Sequence, residues 1–89
     1  MAIHIDDELN IWINGKMAHF TLHVRDEIDE YGKDTLFVCE VVEKGERKLV
    51  SKKERRYESR LVVGNTKWIV AWFDMSDKIL IKHLGRGRR

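Results

Sequence analysis

The side chains with the clearest capacity for chemistry are cations. Lys48, Lys52, Lys53, Arg55, Arg56 and Arg60 fall within thirteen residues, and Lys82, Arg86, Arg88 and Arg89 add a second cluster. Clustered cations attract polyanions through their summed field, and the commonest cellular polyanion is a chain of phosphates. The signs are also segregated along the chain. Residues 1–45 carry ten Asp/Glu against four Lys/Arg and residues 46–89 five against thirteen, so halves of net −6 and +8 lie behind a total of +2. A surface tuned only for solubility mixes its signs. An edge strand blunted by lysine is the competing explanation for the basic run.

Trp12 is the second candidate. Asn10 and Asn14 share its side of an alternating stretch while Ile11 and Ile13 take the other, which places an indole on a polar face. A ring among cations suits single-stranded nucleic acid, since bases stack on aromatic groups at ~1–3 kcal/mol each while the cations follow phosphates. A tryptophan at a dimer seam is the other reading. Trp68 and Trp72 read as core residues.

Catalysis and metal binding find less support. There is no Gly-x-Ser-x-Gly turn, no Gly-rich phosphate loop and no pair of carboxylates at a strand end. Cys39 sits in the apolar run Leu36-Phe37-Val38-Cys39 and reads as a buried free thiol. His19 and His23, on one face of a strand, would stand about 13 Å apart at about 3.3 Å per residue, too far to share an ion. Neither an enzyme nor a metal site nor a small-molecule cofactor is expected.

The elements that would position these residues follow from periodicity. Residues 9–13 alternate, Asn14-Gly15 supplies a two-residue hairpin turn, and residues 18–24 alternate again, with Ala18, Phe20, Leu22 and Val24 inward and His19, His23 and Arg25 outward. The acidic stretch 26–34 reads as a loop. Residues 35–43 read as a third strand with Phe37, Cys39 and Val41 inward, and the end of 46–63 as a fourth, with Tyr57, Leu61 and Val63 inward and Arg56 and Arg60 outward. From Asn65 a helix over 65–84 gathers Trp68, Trp72, Met75 and Ile79 into a stripe. The alternative is a hairpin: strand 67–73, turn 74–77, strand 78–83. The helix is favoured because it leaves fewer apolar side chains in water. The result is an α+β domain, a four-stranded antiparallel sheet followed by one C-terminal helix, with an all-β barrel of the oligonucleotide-binding type as the alternative.

The segments INGKMAHFTLHV (13–24), TLFVCEVVEKG (35–45), RRYESRLVV (55–63) and KWIVAWFDMSDKIL (67–80) together resemble the PUR (purine-rich-element-binding) domain, related in architecture to Whirly-type single-strand binders. The resemblance implies a domain that binds single-stranded DNA or RNA on its sheet and dimerises. Carried over by position, His19, His23, Arg25, Arg56 and Arg60 would touch nucleic acid.

With 89 residues the chain holds one domain, read as a nucleic-acid-binding unit over 1–84 and a basic flexible tail over 85–89. A core this thin favours a homodimer. No apolar run reaches the about 20 residues that span a bilayer, and residues 1–10 are acidic where a signal peptide is basic and then apolar, so a soluble, cytoplasmic protein is expected. The expected function is non-catalytic binding of single-stranded nucleic acid through Trp12, His19, His23, Arg25, Lys52, Lys53, Arg55, Arg56, Arg60, Arg86, Arg88 and Arg89. A protein-interaction module, such as a small inhibitor of viral or other origin, is the alternative, acting through its acidic residues or an exposed strand edge.

Overall fold

A computed structural model describes residues 2–88. Its elements, in chain order, are β1 (Ile3–Ile5), β2 (Ile11–Ile13), β3 (Lys16–Phe20), α1 (Leu22–Glu30), α2 (Thr35–Lys44), β4 (Glu46–Ser51), β5 (Arg56–Val63), β6 (Thr66–Asp74) and β7 (Lys78–Arg88). The strands form one seven-stranded sheet in the order β1-β2-β3-β7-β6-β5-β4. Neighbours are antiparallel except β3 and β7, which run parallel from Met17 opposite Lys78 to Phe20 opposite Ile81. Two antiparallel meanders, β1 to β3 and β4 to β7, therefore meet at a single parallel ladder. The helices carry the chain from β3 to the far edge of the sheet, where β4 lies.

The first meander follows the sequence closely. Asn14 and Gly15 take φ of 52° and 84°, the paired left-handed conformations of a tight two-residue hairpin turn, and β2 and β3 flank them. The expected second strand, however, ends at Phe20. Thr21 is extended and its side-chain oxygen accepts from the Val24 backbone N–H, capping a helix whose buried residues, Val24 and Ile28, are four apart. The acidic stretch read as a loop is mostly the remainder of α1. A similar correction applies to residues 35–43. Asp34 caps them, its carboxylate accepting from the Phe37 N–H at 2.8 Å, and Val38, Cys39, Val41 and Val42 form one buried helical stripe. Burial at helical spacing outweighs the strand propensity of valine and phenylalanine here.

Residues 65–84 do not form a helix. They lie in the hairpin of β6 and β7, so the four-stranded sheet with one C-terminal helix is not the fold, and the two internal helices exclude the all-β alternative as well. The reason is a coincidence of periods: Trp68 and Trp72, four apart, share a face in a helix and in a strand alike. Val70 decides between them, being fully buried between the two tryptophans, as period two requires. Residues Gly85 to Arg88, expected as a flexible tail, continue β7 and pair with Ile69 to Thr66.

Both helices pack on one face of the sheet. Beneath them lie Ile11, Ile13, Ala18, Trp68, Val70, Trp72, Ile79, Ile81 and Leu84, meeting the helical valines, Ile28 and Cys39. Tyr31 and Phe37 approach the Trp68 ring edge-on at 5.6 and 5.3 Å. Ser59 is the buried polar residue of this core: its hydroxyl donates to the Val42 carbonyl at 3.1 Å and accepts from Trp72 Nε1 at 2.9 Å. Gly45, between α2 and β4, brings two backbones together, and a Cβ there would lie 2.5 Å from the Val41 carbonyl oxygen and 2.8 Å from that of Arg60. Among the described residues no helix is long and apolar enough to cross a membrane.

Candidate nucleic-acid interface

Alternate residues of a strand point to opposite sides, so burying Ser59, Val70 and Ile81 under the helices assigns the intervening residues to the uncovered face. On β6 these are Lys67, Ile69, Ala71 and Phe73, all half-buried. Across the register, β5 contributes Arg56, Glu58 and Arg60, and β4 contributes Glu46 and Lys48. From the other side β7 supplies Lys78, Leu80 and Lys82, the Lys82 ammonium lying 5.6 Å from the centre of the Phe73 ring. The first meander adds His4, Trp12, Met17 and His19.

The electrostatic consequence is a separation by layer. On the uncovered face of β4 to β7, Lys48, Arg56, Arg60, Lys67, Lys78 and Lys82 set six cations against the two carboxylates Glu46 and Glu58, a net +4. The helical segment 22–44 holds seven Asp/Glu and three Lys/Arg, a net −4. The helical layer is thus acidic and the uncovered face basic, while Arg47, Arg86 and Arg88 from the second half of the chain lie on the helix-covered side of the sheet. Of the six cations only Arg60 has an ion pair among the described residues, with Glu58 at 3.1 Å, and that contact stays on the same face.

No protein-family model, curated protein or solved structure matches the chain.

The residues singled out from sequence divide between the two sides. Arg56, Arg60, His19 and Trp12 are brought to the uncovered face, and Lys52 and Lys53 are exposed at the turn joining β4 to β5. Trp12 is half-buried there between His4 and Met17 on the neighbouring strands, and its Nε1 donates to Asp6 Oδ2 at 2.9 Å. That bond is the largest influence on Asp6, whose carboxyl lies below its ordinary range although desolvation opposes the shift. Arg55, in the left-handed region at φ 55°, is held against Asp74 at 3.1 Å. Desolvation raises the Asp74 carboxyl, but Lys16 at 2.6 Å and Arg55 outweigh it and hold the group below the usual carboxylate range.

Other expected contacts lie elsewhere. Arg25 belongs to α1, not to a strand, and its guanidinium rests over the Phe20 ring at 5.4 Å. Arg86 opposes Trp68 on the helix-covered side and lies 4.9 Å from the centre of the Tyr31 ring, and Arg88 shares that side by alternation. Arg89 lies outside the described residues. The four-strand-plus-helix order expected from the sequence does not occur.

His23 also moves to α1, away from His19. There it meets Glu27, one turn on, with Nε2 3.3 Å from Oε1, while His83 of β7 places Nδ1 2.7 Å from Oε2. Sequence reasoning missed this cluster because it put His23 on a strand and His83 on a helix. It missed Lys67, Phe73 and Lys78 for the same reason. The usable signal was the alternation of the hairpin reading. Cys39, as expected, is fully buried and unpaired, its thiol pushed up to about 12 by desolvation first and by the charge of Glu40 second.

Proposed function

We propose that this protein binds single-stranded DNA or RNA, without catalysis, across the uncovered face of its sheet. The observation that carries this reading is the gathering of six cations around the half-buried row Ile69, Ala71 and Phe73, opposite an acidic helical layer. Cations flanking an apolar strip suit a strand whose phosphates run along the margins while its bases lie on the strip, with Phe73 and Trp12 as stacking rings. A single strand fits better than a duplex: reading a major groove takes a projecting helix or ribbon, and both helices here lie on the opposite side of the sheet.

A labelled single-stranded oligonucleotide titrated at several salt concentrations tests the reading. Each neutralised phosphate contributes about −0.7 to the log–log salt slope, so six contacts give about −4 and the Lys48→Gln/Arg56→Gln/Arg60→Gln variant lowers the magnitude by about 2. Arg25→Gln/Arg88→Gln, on the helical side, leaves the slope unchanged. Absence of binding at low salt, or binding indifferent to both salt and the triple variant, refutes the proposal.

One observation favours a second reading. Strand β4 is an outer edge of the sheet, with no strand beyond it, and Leu49 and Val50 on it are 47% and 39% exposed. A partner that adds a strand there would use main-chain hydrogen bonds and be insensitive to the triple substitution. Proline at Lys48 separates the two, abolishing strand addition while the remaining cations still bind oligonucleotide.

A further inference from the structure

We propose that His23, Glu27 and His83 form a binding site for a divalent transition-metal ion of the zinc class. The three residues offer ligand atoms that all lie within 4.8 Å of one another. The elements bring them together in a specific way. Strand β3 pairs with β7 only as far as Phe20 opposite Ile81, after which Thr21 donates to the Ile81 carbonyl and the chain turns into α1. The edge of β7 beyond that point is covered by α1, and Glu27 Oε1 accepts the Leu84 backbone N–H at 3.0 Å where β3 no longer can.

This bond fixes the carboxylate. The Glu27 side chain is 13% exposed and anchored to the backbone, whereas His23 and His83 are 69% and 50% exposed and free to adjust. The two rings stand nearly parallel, 15° apart with centroids 5.9 Å from each other, each with a nitrogen near the carboxylate. His23 and Glu27 come from one turn of α1 and His83 from the irregular part of β7 next to the register shift at Ala71/Trp72.

The donor set selects the ion. Two imidazole nitrogens and one carboxylate oxygen match zinc and its neighbours cobalt and nickel, whereas calcium and magnesium seek oxygen ligands alone. Bonds of about 2.0–2.2 Å to a common tetrahedral ion set its donors about 3.3 Å apart, so wider-spaced donors must approach while His83 Nδ1 moves back slightly from Glu27 Oε2, movements the two exposed imidazoles can supply by rotation. The Leu84 N–H on Oε1 supplies the outer-sphere hydrogen bond that orients a ligating carboxylate. An ion bound here joins α1 to β7, so it stabilises the folded chain and leaves a solvent-facing position for water.

The test is a titration of the untagged full chain with Zn²⁺ by calorimetry, together with Co²⁺ followed by its visible absorption. One saturable site per chain, a rise in Tm with added Zn²⁺ and a Co²⁺ spectrum of a nitrogen- and oxygen-ligated ion are expected. His23→Ala and His83→Ala, both at exposed positions, each weaken binding by more than about tenfold, the loss that outer-sphere changes alone can cause at metal sites. His19→Ala, on the uncovered sheet face, leaves it unchanged. No saturable binding, or equal affinity in the parent, His23→Ala and His83→Ala, overturns the proposal and leaves the two imidazoles as simple hydrogen-bond partners of Glu27. Competition by excess Mg²⁺ at equal affinity overturns it as well.

Discussion

Replacing Ser59 by alanine should destabilise the fold by about 2–4 kcal/mol, although the change removes one oxygen atom. The hydroxyl is fully buried and serves two groups at once, the Trp72 indole N–H at 2.9 Å and the Val42 carbonyl at 3.1 Å. Val42 lies in the last turn of α2, where carbonyls lack an intrahelical donor, so Ser59 finishes that helix from the sheet side. Ser59→Ala leaves both groups without this partner in a site sealed from water, at about 1–2 kcal/mol for each orphan. At about 4–8 °C per kcal/mol for a domain of this size, Tm should fall by roughly 8–32 °C in a circular-dichroism melt. A double-mutant cycle isolates the cause. Trp72→Phe removes the orphaned donor itself, so Ser59→Ala/Trp72→Phe should lose at least about 1 kcal/mol less than the two single losses added together. A Ser59→Ala variant within about 0.5 kcal/mol of the parent, or a strictly additive cycle, would show that the hydrogen-bond argument is wrong.

Two further outcomes can be read from the core. Gly45→Ala should cost about 1–3 kcal/mol in urea denaturation, because the new methyl meets backbone oxygens of both Val41 and Arg60 and neither can yield as a side-chain tip would. Cys39 should resist a thiol reagent at pH 8 until denaturant is added. Its thiol titrates near 9.0 when unfolded and about 12 when folded, so the associated stability is intact below pH 9 and is lost as pH rises towards 12, by at most about 1.4 kcal/mol per pH unit. The unfolding free energy of Cys39→Ala should fall less steeply over that window, and parallel curves for the two chains would refute the assignment.

What the sequence made legible was local. Asn14-Gly15 specified its turn because the conformation it prefers is the one a tight hairpin needs, and the alternation around Ile11 and Ile13 specified which side of β2 is core. The helices escaped notice for a physical reason. In α2 the strand-favouring residues Val38, Val41 and Val42 are the buried stripe, and only their spacing and the Asp34 cap distinguish helix from strand. The tryptophans of β6 satisfied both periods. The basic surface was legible as a charge imbalance but not as a face, since the faces of β5, β6 and β7 combine only when the register is known. Thus Arg56 and Arg60 were found, Lys67 and Lys78 were not, and Arg86, expected in a flexible tail, lies in β7 on the helix-covered side of the sheet.

The junction of β3 with β7 also governs how the molecule can be assembled. Ala18 and Ile79 are neighbours across it, yet both helices and three strands intervene between them along the chain. Closing such a long loop costs entropy before any contact repays it, and topologies dominated by distant pairings fold slowly. During translation the opening hairpin leaves the ribosome long before its only lateral partner in the sheet has been synthesised. Ile11, Ile13 and Ala18 then stay open to solvent, and the far edge of β3 to foreign strands, until β7 has been made.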